Sequence, residues 1–370
     1  MKHIGIDCFF LQEALEGRSH YGIIRYCRNL LRYFILPPGN FRFTLFHPYT
    51  LPVNWRELSV RNIIGTAGGR SPDVAHINFR HIPFSRNRSR WMRSLGRYLN
   101  ETDIEIFFSP FNVMADTALP AVCYIHDIIP LLPLASENPG QFFRSIPFLS
   151  GSSIFFLAET RRILEKARLI IVPSQATAAN LKKFAERFGI GYNPERILVN
   201  YQIIDEEFMH FKKNPEDLVQ LTAKYGLAEN YLASAGGMGY RKNNRLLFDA
   251  MKFLPEKIRS SFSIAALYAL KDQAPACPKN IRQIPDADDN IYRHILSGAK
   301  LFIFPSYYEG FGLPPAEALA LGIPVLSSNR GSLPEILGNA ARYFHPDNPR
   351  ELADIICEVL YNNSLMEKMT

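Results

Sequence analysis

The sequence lacks paired cysteines and long apolar runs, and each absence excludes a class of protein. The five cysteines among the 370 residues form no C-x-x-C pair, which argues against a zinc site or a disulfide framework and fits a reducing cytoplasm. They are Cys8, Cys27, Cys123, Cys277 and Cys357. No run approaches the ~18 apolar residues that a membrane-spanning helix needs. The opening MKHIGIDCFF reads as a buried strand rather than a signal peptide, so we expect a cytoplasmic protein, soluble or peripheral at a membrane.

Two further patterns are missing, and with them two kinds of chemistry. Neither glycine-rich loop has the G-x-G-x-x-G spacing and the downstream acid of a dinucleotide fingerprint, which disfavours a nicotinamide dehydrogenase. No D-x-D cluster follows a predicted strand, so we expect no metal and no other cofactor. The acidic run DADD at residues 286–289 precedes the helical stretch NIYRHIL and is interpreted as a helix cap beside a nucleobase loop.

What is present is the composition of an ordinary globular protein, with 47% hydrophobic and 21% charged residues and a length that suits two domains. Apolar, strand-like runs alternate with amphipathic helical ones, which is typical of α/β layers around parallel sheets. The predicted strands are KHIGIDCF, RFTLFHP, IEIFFSP, AVCYIHD and RLIIVPS in the first half, and YLASAG, SFSIAAL, KLFIFPS and IPVLSS in the second. The helix candidates include YGIIRYCRNLLRYFI, SQATAANLKKFAERFG, RKNNRLLFDAMKFL, DNIYRHILSGA and NPRELADIICEVLYNN.

This alternation predicts an α/β protein with two doubly wound, parallel-sheet (Rossmann-like) domains. The first domain is expected over residues 1–195 and the second over residues 231–370, joined by a charged and irregular connection at 196–230. Ligands of open α/β sheets bind at the carboxyl edge of the strands. We therefore expect the two domains to face a cleft that is lined by these edges.

Positive charge is concentrated in the first half of the chain. Residues 1–190 hold 23 Lys and Arg against 14 Asp and Glu, whereas residues 191–370 hold 19 against 21. The densest segment, from Arg80 to Arg97, carries six arginines with Trp91, Met92 and Leu95 between them. Such a segment suits an anionic membrane surface, to which each basic residue adds about 1 kcal/mol. A nucleic-acid surface and a solvated helix face remain alternatives.

Two glutamates stand eight residues apart in the stretch SYYEGFGLPPAEALALGIPV. A helix can begin at Pro315, where a proline removes no hydrogen bond, so Glu309 is expected in a loop and Glu317 in the first helical turn. The backbone N–H groups and the positive helix end between them suit an anionic ligand. The simpler interpretation is a loop followed by a helix with a favourably placed acid.

Three other stretches place polar residues just after predicted strands. In SAGGMGYRKNNRLL, glycines such as Gly237 allow close backbone approach, and Arg241 and Lys242 suit a diphosphate, although solvated bases beside a turn would give the same pattern. In CYIHDIIPLLP, His126 ends a strand. Gly22 borders a predicted helix in EGRSHYGIIRYCRNLL. Small loops, bases, a histidine and two carboxylates at the strand edges suit a nucleotide sugar, which joins a diphosphate to hydroxyl-rich groups.

At this point the sequence resembles a known family. The stretch from Leu232 to Ile356, and within it GGMGYRKN and the two glutamates of E-x7-E, resembles the second domain of retaining glycosyltransferases of family four, which have the GT-B architecture. The likeness in the first half is thinner and rests on YGIIRY, HDIIP and VPS. The resemblance implies transfer of a sugar from a nucleotide donor with retention at the anomeric carbon.

The resemblance also implies roles for residues of the second half. Glu317 is similar to the glutamate that holds the ribose hydroxyls, and Glu309 to the one that faces the donor sugar. Arg241 and Lys242 are similar to the pair that clamps the diphosphate and stabilises the leaving group. The backbone that would line sugar and phosphates is that of Gly310, Phe311, Gly312 and Leu313.

In the first half, His126 is similar to a histidine that contacts the donor sugar, and Gly22 to a glycine that lets the backbone approach the phosphates. The family often has a second glycine where this sequence has Ile24, and its usual G-V-D near the connection is replaced by NYQIIDEEF. Family chains commonly continue into a last helix that packs on the first domain, whereas this sequence stops soon after CEVLYNNSLMEKMT, so the interdomain contact is expected to be weaker or the chain trimmed.

The basic first domain with its interleaved aromatic residues suggests a lipid-diphosphate-linked glycan as acceptor. Bacterial polysaccharide and O-antigen mannosyltransferases of this family have a similar HDIIP, which implies GDP-mannose as donor. Binding to the inner face of the cytoplasmic membrane is expected through the segment from Arg80 to Arg97, and no nucleic acid is expected. Two other functions stay open. One is a nucleotide-sugar epimerase of the same architecture, which needs no acceptor. The other is a non-catalytic nucleic-acid-binding protein that uses the basic segment.

Overall fold

The computed structural model describes residues 2–9, 26, 29, 41–47, 76–82, 88–132, 151–237, 239–267, 280–285 and 287–369. The chain divides into two compact units, and among the described residues those up to Ile203 belong to the first unit and those from Ile204 to the second. The sequence predicted a first domain over residues 1–195, a connection at 196–230 and a second domain over 231–370. In the structure, the strand Ile197–Val199 within that connection belongs to the first sheet, and the residues from Ile204 onward belong to the second unit.

The first unit is built on a seven-stranded parallel sheet with the order β3-β2-β1-β4-β5-β6-β7. Its strands are β1 (Lys2–Asp7), β2 (Phe41–His47), β3 (Ile77–His81), β4 (Ile106–Ser109), β5 (Ala121–Tyr124), β6 (Leu169–Val172) and β7 (Ile197–Val199). The strand order reverses between β1 and β4, which pair directly. The five strands that the sequence predicted in this half are confirmed.

Three α-helices of the first unit lie in the described ranges: α1 (Arg88–Leu99), α2 (Gly151–Lys166) and α3 (Gln175–Arg187). The N-terminus of α3 follows β6 at Ser174, whose Oγ accepts a hydrogen bond from the backbone N–H of Thr177. Tyr26 and Asn29 of the predicted helix YGIIRYCRNLLRYFI are helical, and most of that segment lies outside the described residues.

Within helix α1, the apolar and the basic side chains of the segment from Arg80 to Arg97 lie on different faces. Its apolar side chains Trp91, Met92 and Leu95 are buried in the first unit, and the indole N–H of Trp91 donates to Asp7 at 3.1 Å. The interpretation of these apolar residues as part of a membrane-binding surface is therefore wrong, because their helical spacing directs them into the core. Arg90, Arg93 and Arg97 remain on the exposed face.

The second unit contains a six-stranded parallel sheet with the order β10-β9-β8-β11-β12-β13. Its strands are β8 (Asn230–Ala235), β9 (Phe262–Leu267), β10 (Ile281–Ile284), β11 (Leu301–Phe304), β12 (Val325–Ser328) and β13 (Ala341–Phe344). The order reverses between β8 and β11, whose Leu232 and Leu301 are in register. Such a reversal opens a crevice at the carboxyl edge, where ligands of doubly wound sheets bind.

Helices cover both faces of this second sheet. They are α4 (Glu206–Met209), α5 (Pro215–Tyr225), α6 (Asn244–Ala250), α7 (Glu256–Ser261), α8 (Asp289–Ser297), α9 (Leu313–Ala320), α10 (Leu333–Leu337), α11 (Pro349–Tyr361) and α12 (Asn363–Lys368). Side chains alternate along β8, so Tyr231 and Ala233 pack with α8 on one face while Leu232 packs with α6 and α11 on the other. Two separate apolar cores result, and the prediction of doubly wound domains is confirmed.

Among the helices within the described ranges, none has both the length and the apolar character that a bilayer crossing requires.

Candidate functional site

Loops from three neighbouring strands of the second unit meet at the reversal of strand order. The loop after β8 is joined to the loop after β11, since the backbone N–H of Tyr307 donates to the carbonyl of Arg241 at 2.8 Å. The loop after β12 reaches the same place through Ser332, whose Oγ lies 3.1 Å from the carbonyl oxygen of Glu309 and 2.8 Å from that of Phe311. Three loops that are distant in sequence thus form one surface.

Glycine permits the tight course of the loop after β8. Gly236 has φ +100°, and a Cβ there would lie 2.9 Å from the side chain of Lys242. The carbonyls of Gly236 and Gly237 accept hydrogen bonds from the amide of Asn244 at 2.8 and 3.2 Å. Asn244 is held in turn by Ser234 at 2.8 Å. The sequence predicted the glycines but not this asparagine, which begins α6.

Arg241 and Lys242 lie in a single 3-10 turn, Tyr240–Lys242, before α6. Asn243 follows with φ 52°, and its amide donates to the carbonyls of Pro305 at 3.2 Å and Pro346 at 2.7 Å. The rings of Tyr240 and Tyr307 stack with centroids 4.9 Å apart. These contacts tie the turn to the segments that follow β11 and β13, and both basic side chains reach Glu309. We call Arg241 and Lys242 the cation pair.

Glu309 is buried, and three donors converge on one oxygen of its carboxylate. Oε1 accepts hydrogen bonds from Arg241 Nη1 at 2.7 Å, Lys242 Nζ at 2.8 Å and Ser306 Oγ at 2.6 Å. Burial by itself would raise the pKa of this carboxyl group. The charges of the cation pair, with the hydrogen bonds from Lys242 and Ser306, outweigh burial and lower the pKa from 4.5 to about 2. The carboxylate is therefore ionised throughout the physiological pH range.

The stretch between the two glutamates forms the turn into α9. Gly312 has φ +102°, and a Cβ there would approach Cδ2 of the buried Leu333 to 2.6 Å, so glycine is required. The neighbouring Gly310, Phe311 and Leu313 are buried. Helix α9 begins at Leu313 rather than at the expected Pro315. Both prolines are tolerated in its first turn. Proline has no backbone N–H group, and the N–H groups of the first turn have no partner within the helix.

This earlier start moves Glu317 out of the first turn, where the sequence placed it, to the fifth residue of α9. Its side chain is 1% exposed, and Oε2 accepts a hydrogen bond from the hydroxyl of Tyr292 at 3.0 Å. Tyr292 lies on α8, whose first turn is capped by Asp288 through the N–H of Ile291. The interpretation of DADD as a helix cap is therefore confirmed at Asp288.

His126 belongs to the first unit and follows β5. It is buried, its Nε2 lies 2.8 Å from the carbonyl oxygen of Pro110, and its backbone N–H donates to Asn112 at 2.9 Å. A carbonyl can only accept, so Nε2 carries the proton. Asp127 accepts from the backbone N–H of Ile129 and closes a local turn. The contact of His126 with a donor sugar stays a prediction.

The structure thus brings together Arg241, Lys242 and Glu309, with Gly237 and the turn from Gly310 to Leu313 in the same unit. Gly22 lies outside the described residues. Sequence reasoning missed Ser306, Ser332 and Tyr292, which hold the two glutamates and their loop. Ser306 could have been identified from its position in the sequence, just after β11 and three residues before Glu309. In the described part of the chain, no cluster of histidine, cysteine and acidic side chains has the arrangement of a metal site.

Residues 220–370 match the family model for glycosyl transferases group 1. The serotype-specific mannosyltransferase WbdA of Escherichia coli is 26% identical over 267 residues, which are 67% of this chain and 30% of that protein. The O-antigen chain mannosyltransferase B of Escherichia coli is 27% identical over 220 residues, which are 56% of this chain and 55% of the relative. The chain therefore spans between 30% and 55% of the length of these curated relatives.

Solved structures of glycosyltransferases share this fold. The structure of WaaG, a glycosyltransferase involved in lipopolysaccharide biosynthesis, has a TM-score of 0.70 at 16% identity, with 99% of this chain and 92% of that chain covered. The structure of the Anabaena protein HepE in complex with UDP and glucose has a TM-score of 0.69 at 16% identity. The match covers 100% of this chain and 92% of the HepE chain. The chain therefore has the GT-B fold, and its residues 220–370 are similar to the glycosyl transferases of group 1.

Proposed function

We propose that this chain is a glycosyltransferase that moves a sugar from a nucleotide donor to a glycan acceptor in O-antigen or polysaccharide synthesis. One observation carries the proposal: two cations and a buried carboxylate meet where the strand order of the second sheet reverses. Paired Arg and Lys side chains suit the two phosphates of such a donor. The match of this unit to glycosyl transferases group 1 supports the same chemistry.

The transferred sugar in this proposal is mannose and the donor GDP-mannose. The support is that the relatives matched over the largest part of this chain are mannosyltransferases by name. The acceptor is a lipid-diphosphate-linked glycan, reached at the inner face of the cytoplasmic membrane. The exposed arginines of α1 supply the attraction to anionic lipid, since each contributes about 1 kcal/mol near such a surface.

The proposed reaction retains the anomeric configuration. The bond between the anomeric carbon and the diphosphate oxygen breaks, the acceptor hydroxyl oxygen bonds to that carbon on the same face, and its proton passes to the departing diphosphate. Retaining glycosidases instead use two carboxylates ~5 Å apart, one of them as nucleophile. Here the Glu309 carboxylate is held by two cations, so it is a poor nucleophile. The cation pair stabilises the negative charge that develops on the leaving group.

The test is incubation of the full chain with a panel of GDP-, UDP- and ADP-sugars, with and without a lipid-diphosphate acceptor, in buffer with and without Mg²⁺. We expect GDP-mannose to be consumed only with acceptor, and α-configured product to form without Mg²⁺. The Lys242→Ala variant should lose turnover at least 100-fold, since it removes one charge-assisted contact to the leaving group. Turnover by Lys242→Ala at the wild-type rate would contradict the proposal.

Two other outcomes would point elsewhere. Conversion of the donor without any acceptor would favour an epimerase or hydrolase. No conversion of any donor, together with salt-dependent binding of DNA or RNA, would favour a nucleic-acid-binding protein. A thermal shift with GDP that is lost in Glu317→Ala would locate the donor site independently of the acceptor.

A further inference from the structure

The cation pair is already occupied by an anion that belongs to the protein. Arg241 and Lys242 both direct a donor to Oε1 of Glu309, at 2.7 and 2.8 Å. The third donor, Ser306, lies 2.6 Å from the same oxygen. Among the described residues no donor reaches Oε2, so the contacts of this carboxylate are concentrated on the side that faces the cations.

These contacts are strong because the carboxylate is buried and both cations are partly buried. The side chain of Glu309 is 11% exposed, that of Lys242 20% and that of Arg241 33%. Opposite charges at such distances interact several times more strongly at a partly buried site than in bulk water. Moving the cations away would leave a buried carboxylate without compensation, which is strongly unfavourable. A ligand that needs both cations must therefore compete with Glu309.

We propose that Glu309 is an internal counter-anion of the cation pair, which keeps both cations in place before the donor binds and sets an upper limit to diphosphate affinity. The inference rests on the proposed function, because it takes the ligand to be a diphosphate. When the diphosphate arrives, Arg241 and Lys242 transfer part of their hydrogen bonds to phosphate oxygens. Ser306 remains on Oε1 and keeps the carboxylate from turning away.

The consequence is that removal of the negative charge at residue 309 tightens binding of a bare diphosphate. Glutamine has the shape of glutamate, and its amide oxygen can accept from the same three donors, so the cations stay in place in Glu309→Gln. Repulsion between the carboxylate and the incoming anion disappears. We expect the Kd for inorganic pyrophosphate to fall at least tenfold, whereas sugar transfer falls because the contact to the donor sugar is lost.

The experiment is isothermal titration of the full-length chain with inorganic pyrophosphate, at low salt and with EDTA present. The matched control is Glu358→Gln, which removes one negative charge from an exposed pair with Arg342 in the same unit and should leave Kd unchanged. Glu309→Asp is the second variant and decides the question if Glu309→Gln does not fold. Its shorter carboxylate withdraws from the cations, so Kd should fall by a smaller factor.

The outcomes separate this inference from the proposed function. Tighter binding by Glu309→Gln or Glu309→Asp, with Glu358→Gln unchanged, supports the internal counter-anion. If the wild type binds pyrophosphate and loses binding in Arg241→Ala, but the Glu309 variants bind equally or more weakly, the inference is wrong and the diphosphate site stands. If neither the wild type nor Glu309→Gln binds pyrophosphate, the diphosphate site fails and the inference fails with it.

Discussion

At the scale of single residues, the buried glutamates Glu309 and Glu317 differ in what holds them. Glu309 is bound by two full charges and a hydroxyl, whereas Glu317 accepts a hydrogen bond from the phenol of Tyr292. Nearby positive charges hold a carboxylate in its charged form, as they do for Glu309. Within the E-x7-E pattern, Glu309 is thus fixed by two charged side chains, and the hydroxyl of Tyr292 orients Glu317.

The ionic environment of Glu309 makes stability depend on pH in a defined direction. Because folding lowers the pKa of this group from 4.5 to about 2, it contributes roughly 3 kcal/mol above pH ~4.5, and that contribution declines as pH falls toward 2. Glu309→Gln should therefore lower the melting temperature by a constant amount between pH 7 and 5. The difference from wild type should shrink below pH ~4.5, which thermal unfolding monitored at several pH values will test.

The control for this pH series is Glu358→Gln, whose exposed pair with Arg342 should change stability by less than about 1 kcal/mol at every pH. A destabilisation by Glu309→Gln that stays constant down to pH 3 would mean that packing rather than charge is responsible.

The sequence indicated the charged residues of the site more readily than their supports. Arg241, Lys242 and Glu309 stand out because charged residues beside glycines at strand ends are rare in an apolar pattern. Ser306, Ser332 and Tyr292 do not stand out, since buried hydroxyls are common and their partners lie 3 to 25 residues away in sequence. Which hydroxyl meets which carboxylate is decided by the tertiary fold.

At the scale of elements, the strands that the sequence analysis missed share one property. They are β3, β7, β10 and β13, and each is an edge strand of its sheet. The strands that were predicted, with near-continuous apolar runs, lie inside the sheets, where both faces are covered. An edge strand is partly exposed, and the mixed sequences IRQI of β10 and ARYF of β13 give no apolar run, whereas β7 (ILV) is apolar but only three residues long. Apolar runs in short stretches of sequence therefore identified the central strands of each sheet and not its edge strands.

The turn into α9 offers a prediction about a short element. Gly312→Ala places a Cβ at φ +102° and 2.6 Å from Leu333, which should destabilise the chain by about 2–3 kcal/mol and weaken nucleotide binding. Gly322 is the matched control, because it has φ +71° but no heavy atom within 4 Å of an added Cβ. Gly322→Ala should cost only about 1 kcal/mol, which chemical denaturation will measure. Equal losses in both variants would show that contact with Leu333 is unimportant.

Helix α1 supports a prediction about membranes. Replacing Arg90, Arg93 and Arg97 together by Gln should weaken binding to vesicles that contain 30% anionic lipid by about 3 kcal/mol, roughly 100-fold at low salt. The control replaces Arg161, Lys182 and Lys183, exposed bases elsewhere in the first unit, which removes the same charge. Sedimentation with vesicles measures both. Equal losses in the two triple variants would indicate general attraction rather than a surface on α1.

At the scale of the whole molecule, the two units each have their own sheet and meet in sequence at Ile203 and Ile204. The residues around this boundary include exposed apolar side chains, with Tyr201 51% and Ile203 54% exposed. Exposed connections are the usual sites of proteolytic cleavage. The sequence predicted two domains from length and alternation alone, whereas their arrangement depends on contacts that such patterns do not encode.

Limited digestion with chymotrypsin should therefore cleave after Tyr201 before it cleaves within either sheet. We expect a fragment beginning at Gln202 that keeps its secondary structure and resists further digestion, because its sheet is complete from β8 to β13. Mass spectrometry of the early fragments and circular dichroism of the purified product measure this. First cleavage inside the second unit, or an unfolded fragment, would contradict the expected independence of that unit.

The separation in sequence between the cation pair and its carboxylate has a consequence for the order of synthesis. Arg241 and Lys242 leave the ribosome 68 and 67 residues before Glu309, and the loop of Ser332 follows later still. Throughout that interval the nascent chain carries two basic side chains whose partner does not yet exist. On the proposed function, a nucleotide would stabilise only a nearly finished chain, and a product interrupted before β11 would expose a basic turn that lacks the carboxylate of Glu309.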